Sequence, residues 1–221
     1  MIVLSRSKKA AAVTPIKLTA VPTRVLSAAG PPLTFDDMTG KGRHLVLGVR
    51  SPDLILSVVA PIGLAAAAGT GLVIDLCAQG ASPTSRSMRG FQTDGPTLAE
   101  LSPGRSGVAL LAGGGVERGE AVELVGRLST RWPAIVLRVD DDGWEFPVVP
   151  VIPLFPGRLA PIPVGASGVW QPVGTGATPP GPGPVLPRLR PGALRRILSG
   201  HLPRRSRWVS AWGPVWEMPW A

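Results

Sequence analysis

Between Asp53 and Asp75 the chain runs 21 residues, Leu54–Ile74, without a charge. A stretch of that length has to leave water, and it has two ways of doing so. About 20 consecutive apolar residues cross a bilayer as one helix. This run, however, contains Pro61 and a Gly69-Thr70-Gly71 break, and aspartates flank it rather than Lys or Arg. The pattern fits a helix over Leu54–Ala68, bent or shortened near Pro61, then a turn, then a strand over Leu72–Leu76, all buried in one core. Ser51 suits the cap of that helix and Pro52 its start. The strand delivers Asp75 to a small-polar turn, Leu76-Cys77-Ala78-Gln79-Gly80. An apolar run closing on a carboxylate is how a buried parallel strand presents an acid at the carboxyl edge of an α/β sheet, where such folds bind ligands.

The same grammar repeats on either side. His44–Val49 reads as a core strand, Gly107–Leu111 as a third and Ala134–Val139 as a fourth, the last running into Asp140-Asp141-Asp142-Gly143. Glu117–Thr130 has apolar residues at Val122, Leu124, Val125 and Leu128, acids in its first turn at Glu117 and Glu120, and Arg127 and Arg131 at its other end, which suits a helix dipole. Ala81–Gly95 reads as a loop, Thr97–Leu101 as a helical turn, and Val148–Leu154, with Pro150 and Pro153, as an edge strand at best. Strand–helix–strand alternation with short joins predicts an α/β fold: a mostly parallel sheet with helices on both faces. The expected organisation is an irregular N-terminal arm (1–40), an α/β domain (41–156), a Pro/Gly-rich linker or arm (157–190) and a basic, Trp-rich C-terminal segment (191–221) that opens with a short helix over Pro191–Gly200. Met38 stands as a candidate natural start.

Charge divides the chain in the same places. Residues 1–50 carry eight Lys or Arg against two acids, residues 51–146 seven against eleven, and residues 147–221 eight against one. An acidic-leaning middle thus lies between two basic flanks. Arg outnumbers Lys 19 to 4, Tyr and Asn are absent, and there are 28 Gly and 26 Pro, as expected from a GC-rich bacterial genome. The N-terminus is basic but lacks the apolar segment of a secretory signal.

Several kinds of chemistry are excluded by what the chain lacks. Cys77 is alone, so there is no intramolecular disulfide and no cysteine metal cluster, and only His44 and His201 offer imidazole. Neither Gly104-Arg105-Ser106-Gly107 nor Gly165-Ala166-Ser167-Gly168 matches a nucleophile elbow. Gly113–Gly119 departs from the dinucleotide fingerprint because position 118 is Arg. Asp140, Asp141, Asp142 and Glu145 have the oxygen ligands of a divalent-cation site, but they better suit a solvated acidic turn, since acids commonly cluster where a strand meets water.

Residues 44–154 resemble the ParA/MinD branch of P-loop ATPases, the deviant Walker A group. The carrying segment is Val73-Ile74-Asp75-Leu76-Cys77-Ala78-Gln79-Gly80, against a family pattern like Val-Asp-Leu-Asp-Pro-Gln-Gly, with Thr97–Leu101, Gly107–Gly114 and Ile135–Asp140 in the family's order. The resemblance makes Asp75, Cys77, Gln79 and Asp140 the edge of a vestigial nucleotide site. The departures are the informative part. The family's loop needs glycines, a Lys and a Thr or Ser for phosphates and Mg²⁺. Here all four Lys precede the first strand, Ser51-Pro52-Asp53 stands where the loop would be, and Cys77 replaces the family's second acid. The resemblance therefore implies a scaffold that has lost ATP hydrolysis, with no cofactor and no catalytic or metal-binding residue. Such a protein would act on a protein partner, an active ATPase or a secretion or pilus component, in the cytoplasm or peripherally at the membrane. The Ser51–Asp53 turn is expected to be filled by its own side chains.

The C-terminus supports an alternative. Arg195, Arg196, Arg204, Arg205 and Arg207 lead into Trp208, Trp212, Trp216 and Trp220, spaced by four. Arginine interleaved with tryptophan suits nucleic acid or an anionic membrane. The competing expectation is that the arm returns and packs its indoles on the domain, because a free Trp-rich tail is costly in water.

Overall fold

Seven strands lie parallel in one sheet in the computed structural model of the chain, which describes residues 45–77, 92–93, 107–112, 117–130, 132–157, 167–202 and 206–220. In chain order the elements are β1 (Val46–Arg50), α1 (Leu54–Ala67), β2 (Gly71–Asp75), β3 (Gln92–Thr93), β4 (Val108–Ala112), α2 (Arg118–Ser129), β5 (Ile135–Arg138), β6 (Val148–Leu154), β7 (Val169–Pro172), α3 (Pro191–Leu198), α4 (Arg207–Ser210) and a 3-10 turn, Gly213–Glu217. The sheet order is β3-β4-β2-β5-β1-β6-β7. The α/β fold follows directly from the buried apolar strands, whose alternate residues face opposite layers. Leu47, Val49, Val73 and Val136 meet α1 on one face, while Val46, Leu72, Ile74 and Leu137 meet α2 through Ala121, Val125 and Leu128 on the other.

The uncharged run resolves into helix, turn and strand. Among the described residues no helix is long and apolar enough to cross a membrane. Gly69 makes the turn with φ of +86°, a conformation costly for any residue with a Cβ. The cap of α1 differs from expectation: it is Asp53, whose Oδ1 accepts from the N–H groups of Ile55 and Leu56 at 3.0 and 2.8 Å, and the helix begins after Pro52. Ser51 serves one step earlier, its Oγ accepting from the Asp53 N–H at 3.3 Å. α1 continues through Pro61, which lacks the donor for the Ser57 carbonyl.

Three expectations about the strands are corrected. Val148–Leu154 is an interior strand. Its first half pairs with β1 (Gly48 with Val148, Arg50 with Pro150) and its second half with β7 (Val151 with Val169, Leu154 with Pro172). Each half therefore has one ladder to satisfy, and the prolines fit within that stagger. The presumed linker 157–190 carries β7, with Trp170 fully buried. Beside it the proline-rich stretch runs parallel to the strand: the carbonyls of Pro182 and Pro184 accept from the Trp170 indole at 3.2 Å and from its backbone N–H at 2.9 Å, and Leu186 N–H returns to the Trp170 carbonyl at 2.8 Å. Proline lost a donor and kept its acceptor, so a proline run still pairs with a strand. Gly183 is required there, because a Cβ would collide with the Gly168 carbonyl. The loop expected over Ala81–Gly95 contains β3, which pairs with β4. Thr97–Leu101 and the 1–40 arm lie outside the described residues.

The C-terminal segment is a layer of the same core. Trp208, Trp212 and Trp216 are buried against α1, and the Trp216 indole donates to the Leu64 carbonyl at 3.0 Å. Gly63 makes this approach feasible: a Cβ there would lie 2.5 Å from Trp208 Cη2 and 2.6 Å from Trp212 Nε1. α1 is consequently enclosed between the sheet and the indoles, which is why its sequence is apolar on every side.

Candidate functional site

β1 leads through α1 to β2 on one side, and β5 leads to β6 across β1 on the other, so the direction of winding reverses around β5 and β1. The crevice at the carboxyl ends of such strands is the usual ligand position of an open α/β sheet. Three segments meet there: the Ser51–Asp53 turn, the end of β2 at Asp75, and the Asp140–Asp142 turn after β5.

Asp75 and Arg138 occupy paired positions of β2 and β5, on the face covered by α1. Arg138 Nη1 donates to both Asp75 oxygens, at 2.9 and 3.0 Å, and Nη2 donates to Ser57 Oγ of α1 at 3.3 Å. Ser57 in turn donates to the Leu54 carbonyl at 2.9 Å. Asp75 is 4% exposed and Arg138 3%, so the pair is enclosed, and Arg138 Nε has no hydrogen-bond partner among the described residues. Asp75 Oδ1 also accepts from the Cys77 N–H at 3.2 Å. Both carboxylate oxygens are thereby committed to the protein itself.

Cys77 sits at the rim. Burial pushes its thiol from 9.0 up to about 11; the Arg138 guanidinium pulls the other way, while Asp75 and Asp140 add to the rise. A thiol so placed is protonated at neutral pH and a poor nucleophile. Asp140 is exposed. The next two acids are held by cations: Asp142 pairs with Arg50 at 2.9 Å and Asp141 with Arg118 at 2.6 Å, while Asp141 Oδ1 accepts from the Gly143 N–H at 3.0 Å. Arg118 also lies over the Trp144 ring, 5.4 Å from its centroid. Asp141 and Asp142 are thus both engaged by guanidinium groups.

The Ser51–Asp53 turn is filled by its own side chains, as expected. Asp53 consumes the first amides of α1 that an anion would need. Arg50 points to Asp142, and the apolar Leu54 and Ile55 are the exposed side chains of the first helical turn. Gln79 lies outside the described residues, as do Arg204 and Arg205.

Sequence reasoning missed Arg138. Its signal was an arginine inside the apolar strand Ile135-Val136-Leu137-Arg138-Val139, in register with the acid-bearing strand. The aromatic half of the C-terminal candidate site is corrected as well: Trp208 is 4% exposed and Trp212 0%, and Trp208 Nε1 donates to Gln171 at 2.7 Å. These indoles build the core and leave no ring face for a ligand. Arg195, Arg196 and Arg207 remain on the surface. Compared with protein-family models, with curated proteins and with solved structures, the chain matches none.

Proposed function

We propose that the chain is a non-catalytic, ParA/MinD-like α/β protein that serves as a scaffold or regulatory partner, working with an active ATPase of a partitioning, secretion or pilus system. The reading places it in the cytoplasm, with peripheral contact at the membrane as its variant. The observation that carries it is the buried Asp75–Arg138 pair beneath a turn capped by Asp53. The position that the resemblance gives to phosphates and metal holds two acids, one locked by arginine and one spent on helix amides. Triphosphate binding needs free amides and a cation at that point. Asp53 supplies negative charge instead, and Arg50 is drawn off to Asp142. The side-by-side placement of β4, β2 and β5 also supports the resemblance, since these strands carry three of the four segments on which that resemblance rests.

The test is thermal melting of the full chain with and without millimolar ATP and Mg²⁺. A ligand present at 100 times its Kd stabilises by about 2.7 kcal/mol, a shift of several degrees for a chain of this size. We expect no shift and no phosphate release. A clear ATP-dependent rise, or hydrolysis abolished by Asp75→Asn, overturns the reading.

A further inference from the structure

With the indoles buried, the C-terminal third keeps its charge on the outside. Arg188, Arg190, Arg195, Arg196 and Arg207 are all exposed, and from residue 147 to the end the single acid is Glu217. The ion pairs among the described residues are Arg50–Asp142, Arg118–Asp141 and Arg138–Asp75, so none of these five guanidinium groups meets an acid there. Arg195 and Arg196 stand on α3, and Arg188 and Arg190 on the extended segment that enters it. Arg190 gives α3 no side-chain cap, and a Cβ at Gly192 in its first turn would meet nothing within 4 Å. Exposed arginines that meet no acid among the described residues, beside a helix start that has Pro191 in its first turn and no side-chain cap, are suited to phosphate groups.

We infer that this arginine surface binds the phosphate backbone of a nucleic-acid duplex, without reading its bases. The alternatives are separated by what the apolar groups are doing. An amphipathic helix holds a membrane by inserting its apolar face. That face of α3 is already used: Ile197 is buried, and Leu194 and Leu198 pack on the core beneath it. Single strands are held by aromatic stacking, and Trp208 and Trp212 are enclosed. What remains exposed and charged on α3 is arginine, whose planar fork binds phosphate oxygens bidentately, in contacts that carry no base-sequence information. The inference does not depend on the nucleotide-site reading, because it concerns a different part of the molecule.

The experiment is fluorescence anisotropy of the full chain with two 30-base-pair duplexes of unrelated sequence, from 50 to 200 mM salt. A matching single strand and phosphatidylserine vesicles are titrated in parallel. Five phosphate contacts give a salt slope of about −4.5, a loss of affinity of about 500-fold over that range. The Arg195→Ala/Arg196→Ala variant should bind more weakly and lose only about 40-fold, its slope falling by about 1.8. Both side chains are exposed, so its melting temperature should match the parent's. Equal affinity for both duplexes with this slope change supports the inference. Absence of duplex binding at 50 mM salt, an unchanged slope in the variant, tighter binding of the single strand, or vesicle binding without duplex binding each overturns it.

Discussion

Arg138 and Asp75 face each other across two adjacent strands, out of water, with Ser57 as the third member. Desolvating two charges costs several kcal/mol each, and their attraction offsets this only because the contact is close and hydrogen-bonded. Removing one partner leaves the other charged in the core. Arg138→Met and Asp75→Asn should each destabilise by about 3–5 kcal/mol in urea unfolding, and the double variant Asp75→Leu/Arg138→Met should recover most of it. Single losses below about 1 kcal/mol would mean that the pair does not tie the sheet to α1. Cys77 makes a second residue-scale prediction. Its thiol is raised from 9.0 to about 11, so the folded protein holds that proton more tightly than the unfolded chain. The resulting stability is fully present below pH 9 and is lost as pH climbs towards 11. With no Tyr, the other side chains titrating in that window are the four Lys. A melting-temperature profile from pH 8 to 11 should therefore fall in the parent and be flatter in Cys77→Ala; parallel profiles would contradict the assignment.

α1 shows at element scale why a helix reads as a membrane span and is not one. Its 14 residues are apolar all round because two layers, the sheet and the indoles, close on it. Gly63 sets the distance between helix and indoles, whereas Gly126 of α2 has open space where a Cβ would go. Glycine within a helix is worse than alanine by about 1 kcal/mol on propensity alone. Gly126→Ala should accordingly stabilise by about that amount. Gly63→Ala has the same propensity gain but must displace two buried rings, and overpacking of that kind costs about 1–3 kcal/mol. We expect it to be net destabilising in thermal unfolding, with a red shift of the tryptophan emission. If both substitutions stabilise equally, the indole layer does not pack on α1 as described.

At the scale of the whole molecule, the α/β class, the strands β1, β2, β4 and β5 and the helices α1, α2 and α3 were legible from the amino-acid order. Each announces itself through local apolar periodicity and a turn or cap at its ends. Asp75 at the sheet edge was legible for the same reason. The extent of the sheet was not. Pro150, Pro153 and the Thr178–Pro184 run signal interruption locally, and only the staggered pairing of β6 with two neighbours, and the acceptor carbonyls of Pro182 and Pro184, turn them into sheet. Nor could the order of residues reveal that Arg138 neutralises Asp75, 63 positions away, or that the returning indoles of Trp208 and Trp212 settle on Gly63. The sequence by itself determined which segments must leave water and where charge accumulates, because those are properties of neighbours along the chain. Which acid is locked, which arginines stay exposed and which aromatic rings are spent on the core were decided by tertiary structure, because burial and ion pairing depend on groups brought together from distant positions.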